Sequence, residues 1–338
     1  MRMRRWSLLG AVVIATAMLT SCVAPVPTGP PKAVPPASTG IAPRGFTPGH
    51  LYVAQGTDIP SRVYRFPLNA DGLPSTTPDG VLKLPYRYPG SIAIGPDGSL
   101  FVADSGTAYA CKTERLCAVN VYAPLASGNA KPTRSLRVPQ QPLWIAVDER
   151  GYLDVSILQG GGGVENVYAP SANGNDQPVN VINSDGANEL GARRGILYVQ
   201  SLRLGLGVEA IGETNGKQPV YYTYGYNYSA DGVATDDHTL YAQFFQPRSG
   251  GYFLATAEWR IGVPGPPFRT VIGRGCKQSR SGGALGYGLA VYKKYLYEGC
   301  IALLGASGGV LVYDLTKGGK QKPIEQLVGG NVGVAIGP

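Results

Sequence analysis

Few side chains in this chain have chemical options of their own. Of its 338 residues, five are cysteine and two histidine. His50 and His238 each stand beside a turn, with no Ser-His-Asp or Cys-His spacing around either, so both read as structural. Cys111 and Cys117 are close in sequence, Cys276 and Cys300 form a second set, and Cys22 stands near the N-terminus. With two histidines and no CxxC, a Cys/His metal site is short of ligands. The sequence instead predicts disulfides Cys111–Cys117 and Cys276–Cys300, the usage of an exported chain. Lys112, Arg115, Arg274, Lys277 and Arg280 stand beside these cysteines and suit an anionic ligand or a solvated loop surface. Tyr222, Tyr224, Tyr226 and Tyr228 share one parity and would line one face of a strand. Such a row serves packing between sheets, or stacking against a glycan or protein partner.

The elements that must position these residues are strands. Residues 90 to 106 read as a β-hairpin: Ile92 and Ile94 alternate with small residues, Pro96-Asp97-Gly98 turns the chain, and Leu100 to Ala103 returns. The return strand recurs at Leu51, Leu153, Leu197, Leu240 and Leu296, at intervals of 43 to 56 residues. A third strand follows each hairpin, as at Val121-Tyr122 and Val167-Tyr168. Then come a Gly-rich turn with Pro (Gly128 and Pro132, Gly174 and Pro178, Gly319 and Pro323) and a fourth strand. Four strands per repeat describe the blades of a propeller. The chain starts on a return strand and ends on a first strand, Gly333 to Pro338, so the two ends complete one blade. The expected fold is all-β: a six-bladed β-propeller over residues 49–338, with four-stranded blades, closed by the C-terminal strand. Gly 48, Pro 28 and 15% charged residues suit strands joined by many turns. The residues that precede the six inner strands are Gly90, Leu143, Asn188, Asp231, Tyr287 and Val332, of which Asn188 and Asp231 are the candidate channel-mouth ligands. Loops 104–118, 160–163 and 273–286 gather on that entry face, beside the paired cysteines, and make it the expected functional face.

Residues 1–21 carry Arg2, Arg4 and Arg5, then an apolar run from Trp6 to Leu19 that is too short for a span of ~20 residues. Leu19-Thr20-Ser21-Cys22 resembles the lipobox of bacterial lipoproteins. The resemblance implies a signal peptide at 1–21, lipidation of Cys22 and anchoring in a membrane through the N-terminal lipid. Val23 after the cysteine points to the outer membrane if the cell is Gram-negative. Residues 22–48, with eight prolines, read as an extended tether. The formal charge of +8 falls to +5 once three arginines leave with the signal. Export makes nucleic acid an unsuitable partner and leaves envelope proteins and glycans.

The repeated G-[IV]-A-[IV]-x-x-x-G-x-L-[YF]-V-A-D pattern resembles NHL repeats and, more distantly, gluconolactonase-type propellers, across nearly all of residues 49–338. The motif is specific for the fold and nearly silent on function, because it encodes packing and turns; the expected role is a binding or protein-interaction module without a cofactor. A structural envelope scaffold is a further reading. The gluconolactonase likeness implies an alternative, a metal-dependent lactonase in which Asn188 and Asp231 hold a divalent cation. That pattern includes a Glu on the first inner strand, where this chain has Asn331 and Val332.

Overall fold

A computed structural model of the chain describes residues 49–56, 61–85, 89–104, 117–159, 162–184, 190–201, 207–212, 220–223, 229–248, 251–278, 285–301, 309–327 and 331–338. These residues form strands and turns. Blade 1 has β1 (His50–Gln55), β2 (Arg62–Pro67) and β3 (Gly80–Lys83); blade 2 has β4 (Pro89–Ile94), β5 (Leu100–Asp104), β6 (Ala118–Tyr122) and β7 (Arg134–Arg137). Blade 3 has β8 (Pro142–Val147), β9 (Leu153–Gln159), β10 (Gly162–Tyr168) and β11 (Asn180–Ser184). Blade 4 has β12 (Leu190–Arg193), β13 (Ile196–Ser201), β14 (Gly207–Gly212) and β15 (Val220–Thr223). Blade 5 has β16 (Ser229–Thr235), β17 (Thr239–Arg248), β18 (Gly251–Arg260) and β19 (Arg269–Gln278). Blade 6 has β20 (Leu285–Tyr292), β21 (Tyr295–Ile301), β22 (Gly309–Asp314) and β24 (Glu325–Leu327), while the short β23 (Gly319–Gln321) pairs in parallel with β19 of blade 5. Finally β25 (Asn331–Gly337) pairs antiparallel with β1 and completes blade 1, as the sequence predicts.

No blade has a core of its own. Successive side chains of a strand point to opposite faces. In β1, Leu51 and Val53 pack with Tyr297, Val310 and Val312 of blade 6, while Tyr52 and Ala54 pack with Ile92, Leu100 and Val102 of blade 2. The same division gives one apolar cluster at each of the six blade interfaces. This explains why the return strands read as continuous apolar runs: both faces are covered.

Backbone bonds between blades add to that packing. The Gly128 N–H of blade 2 donates to the Val81 carbonyl of blade 1 at 2.7 Å, and the Gly128 carbonyl accepts from Lys83 N–H at 2.8 Å. Gly174 of blade 3 does the same to Ser135 and Arg137 of blade 2, at 2.9 and 2.7 Å. Gly265 and Gly319 form the matching bridges onto Tyr222 and Val271. Gly128 and Gly174 have φ of 62° and 57°, and a Cβ at either would meet nothing within 4 Å. Glycine is therefore required by the backbone conformation, not by space.

Closure of the ring is reinforced at its seam. Gly49 N–H donates to the Gly337 carbonyl at 2.8 Å. The Pro338 carbonyl accepts from His50 Nδ1 at 2.6 Å and from the Tyr52 hydroxyl at 3.1 Å. His50 Nε2 faces Asp79, which also pairs with Arg65. Partial burial works against the ionised Asp79 carboxyl, but the Arg65 hydrogen bond and charge, with His50, hold it below the usual carboxylate range. His50 is thus part of the seam, in line with its structural reading.

Gly174→Ala is expected to destabilise the chain by about 1 kcal/mol, the cost of a left-handed L-residue. Urea denaturation reads it as a lower midpoint at unchanged slope. An unchanged midpoint would remove the bridge from the account of stability.

Candidate functional site

The predicted entry-face residues are only partly within the described structure. Cys22, Lys112, Arg115, Cys111, Asn188 and Arg280 lie outside the described residues. Asp231 lies in β16, level with Tyr287 of β20 in a parallel pairing, so these two positions of the predicted ring are neighbours. Arg274, Cys276 and Lys277 lie in strand β19, not in a loop as the sequence suggests. The cause is a register shift in the β18–β19 pairing between Phe253 and Ala255, after which the strands continue to Tyr252 opposite Gln278. Cys117 and Cys300 are buried, and neither is a free thiol. Among the described residues, no group of three or more His, Cys, Asp or Glu is placed to hold a metal ion. Tyr222, the one member of the tyrosine row whose side chain is described, is buried edge-on to Trp259 of blade 5 at 6.2 Å, and its hydroxyl accepts from Gly262 N–H at 2.9 Å. It serves packing between blades.

A large cavity opens at the opposite mouth, where the first hairpin of each blade turns. Its volume is about 630 Å³, within the range of small-molecule sites. The floor is a collar of residues at or next to the ends of the inner strands, one per blade: Ile94, Val147, Ala192, Thr235, Val291 and Ile336. Five of the six are aliphatic and all are part-exposed. The rim divides into two arcs. Blades 1 and 2 present Ile336, Ile94 and Pro96; blades 3 to 6 present Asp148 and Glu149, Arg193 and Arg194, Asp236 and Asp237, then Tyr292 and Lys293. The charged arc therefore alternates acid, base, acid, base.

Most of the acids are committed within the protein. Asp148, with no side-chain exposure, accepts from the Arg150 and Tyr152 N–H groups at 2.9 Å each and pairs with the Arg150 guanidinium. Asp236 accepts from His238 and Thr239 N–H groups at 2.8 and 2.7 Å and from the Tyr241 hydroxyl at 2.9 Å. Both are turn caps of the kind Asp commonly makes. Asp237 pairs with Arg193 and, at 3.2 Å, with Arg194, and the Arg193 hydrogen bond and charge hold its carboxyl below the usual range. Glu149 accepts from the Arg194 backbone N–H at 2.9 Å. Lys293 donates to the Ala70 carbonyl of blade 1.

The cations differ in their backbone. Arg194 and Lys293 have φ of 51° and 55°; Leu125 is the third described non-glycine residue with positive φ. Each costs ~1 kcal/mol or more relative to glycine. Arg194 keeps 65% of its side chain exposed. Strained backbone thus carries two cations on the rim of one cavity. The charged rim residues are not among the site residues that the sequence predicts. The signal was present in the hairpin turns themselves, where Ala192-Arg193-Arg194-Gly195 and Tyr292-Lys293-Lys294-Tyr295 place cations at positions that favour Gly or Asn.

The acid shifted furthest upward lies elsewhere. Glu298 of β21 is buried between blades 5 and 6. Its Oε1 accepts from the Thr256 hydroxyl of β18 at 3.1 Å, and the Gln243 side chain also hydrogen-bonds the carboxyl. Burial pushes its carboxyl up to about 7, against those two hydrogen bonds.

No family model and no curated protein matches the chain. Solved structures do. A protein of unknown function from Bacteroides caccae is similar with a TM-score of 0.53 at 11% identity, covering 86% of this chain and 99% of its own. A Lactobacillus plantarum protein is similar with a TM-score of 0.45 at 13% identity, over 86% of this chain and 99% of that one. A putative oxidoreductase (glucose dehydrogenase) from Thermus thermophilus gives 0.42 at 17% identity, over 72% and 84%. The likeness is one of fold. The class defined by that fold is the six-bladed β-propeller, and chemistry has to be argued from this chain's own mouth.

Glu298→Gln keeps a neutral side chain at every pH. Because burial raises the folded value from 4.5 to about 7, the parent's stability from this group is complete below pH 4.5 and is lost as pH rises through 7. The difference amounts to about 3 kcal/mol by proton linkage. In urea denaturation the variant is expected to overtake the parent between pH 4.5 and 8.5. A constant gap between the two at both pH values would exclude a buried neutral carboxyl.

Proposed function

We propose that this chain is a membrane-tethered envelope protein of the NHL-repeat kind, and that its propeller is a binding module whose ligand enters at the hairpin-turn mouth. One observation carries the reading: an aliphatic collar beneath a rim with two exposed, strained cations, in a cavity of about 630 Å³. A ligand that suits this arrangement is amphipathic. Its apolar end covers Val147, Val291 and Ile336, while an anionic or zwitterionic head meets Arg194 and Lys293. Each CH₂ taken from water onto the collar contributes ~0.8 kcal/mol. The charged head then fixes orientation, because most of the rim acids are already engaged within the protein.

Anchoring rests on Leu19 to Cys22, with 22–48 as the tether and residues 1–21 as the removed signal. An outer-membrane site in a Gram-negative cell follows from Val23. The bonded states of Cys117 and Cys300 support the pairs Cys111–Cys117 and Cys276–Cys300 in an oxidising compartment. Cys22→Ser is expected to move the chain from the detergent phase to the aqueous phase in a detergent partition of whole-cell extract; equal partition of the two would remove the anchor.

The mouth is tested with 8-anilinonaphthalene sulfonate, an apolar anion of suitable size. The folded parent is expected to enhance its fluorescence at low ionic strength. Val291→Asp should abolish the signal. Arg194→Gly should weaken binding several-fold while raising the melting midpoint, since glycine relieves the left-handed strain. Fluorescence that survives Val291→Asp in a cooperatively melting chain would place the probe elsewhere and end the mouth reading.

A further inference from the structure

We propose that blade 5 carries a second binding element, a three-stranded arm on the face opposite the mouth, and that it takes an acidic polysaccharide. Strands β17, β18 and β19 are ten residues each, whereas every other strand has three to eight. The β17–β18 ladder runs from Thr239 opposite Arg260 at the mouth end to Arg248 opposite Gly251 at the far end. In neighbouring blades 4 and 6 the corresponding ladders have six rungs, ending at Ser201 opposite Gly207 and at Cys300 opposite Gly309. Four further rungs extend the sheet by about 13 Å at the usual strand rise. The third strand, β19, rejoins β18 at the far end beyond a register shift, with Tyr252 opposite Gln278 and Phe253 opposite Lys277.

The composition of this extension is one-sided. Between Phe244 and Ala257, and between Thr270 and Gln278, there is no Asp or Glu, and there are three cations: Arg248, Arg274 and Lys277. Aromatic residues are interleaved with them. Phe253 stands in register with Gln246 on one side and Lys277 on the other, and Tyr252 with Pro247 and Gln278. Directly opposed residues share a face of a sheet. The register therefore puts an aromatic residue and a cation in one cross-strand row, with further cations on the two flanking strands.

Cations alone suit any polyanion. Aromatic rings beside them add flat apolar surfaces, which stack on sugar faces while the cations meet carboxylate or sulfate groups. A ribbon reads several units of a polymer in a way that a closed cavity does not, and the gain from successive weak contacts accumulates along the chain. Nucleic acid shares this chemistry, and the choice of a glycan over it rests on the export reading above. The mouth takes no part.

The test uses the purified full chain, with polygalacturonate as the acidic glycan and dextran, inorganic polyphosphate and a single-stranded oligonucleotide as comparisons. Polygalacturonate is expected to bind at low salt and weaken as salt rises, with dextran inert. An Arg274→Gln/Lys277→Gln double variant should bind at least fivefold more weakly, and Tyr252→Ala severalfold more weakly for polygalacturonate but not for polyphosphate. Arg194→Gly at the mouth should leave polygalacturonate binding at the parent level, so failure here and failure of the mouth reading are separable. Each variant is checked for a cooperative melt, and Arg248→Gln replaces any that does not fold. No polygalacturonate binding, undiminished binding by the folded cation variants, or tighter binding of polyphosphate or oligonucleotide than of polygalacturonate each overturns the proposal.

Discussion

The structure depends on strands that are buried on both faces. Each return strand sends alternate side chains into two different interfaces, so a blade removed from the ring would expose apolar surface on both sides. The apolar clusters lie between blades, one for each interface. Stability is therefore a property of the closed ring, unlike that of an open repeat array whose units add one by one. The β25–β1 pairing and the Pro338 seam follow from this demand, because an open ring would leave two apolar faces and a strand edge in water.

That demand also shapes the surfaces available for function. The outer strands are locked by backbone bonds from the next blade's glycine turn, which leaves the periphery in use as structure. The hairpin turns at the mouth are stitched in another way. Arg193 and Arg194 span from blade 4 to Asp237 of blade 5 and Glu149 of blade 3, and Lys293 reaches blade 1. These charges hold neighbouring turns together and at the same time surround a cavity that the inner strands leave apolar. A ring of short hairpins gives both results at once, since inner strands converge and their last side chains meet around the axis.

Much of the architecture is legible in the chain. Return strands recur in sequence with Gly and Asp at the turns, so blade number and strand identity follow from repetition, and the split blade follows from the mismatch of the two ends. Gly128 and Gly174 are visible as turn residues, but their bonding to the preceding blade is not, because it joins positions far apart in the chain, such as Val81 and Gly128. The sequence draws attention to loops with paired cysteines and basic residues, whereas the cavity is built from the ends and turns of the first hairpins, to which blades 2 to 6 contribute three residues each and blade 1 contributes Ile336.

The sequence by itself determined the class of element, the number of blades and the manner of closure, because alternation, turn chemistry and repetition are local properties of the chain. It also placed His50 at the start of a seam strand. Tertiary structure alone decided which residues meet. It set Arg194 beside Asp237, gathered six inner-strand ends into one collar, buried Glu298 between blades 5 and 6, and carried Arg274 and Lys277 out on a strand rather than a loop. Each of these depends on register and on closure of the ring, and a contact between blades has no local signature until the ring is closed.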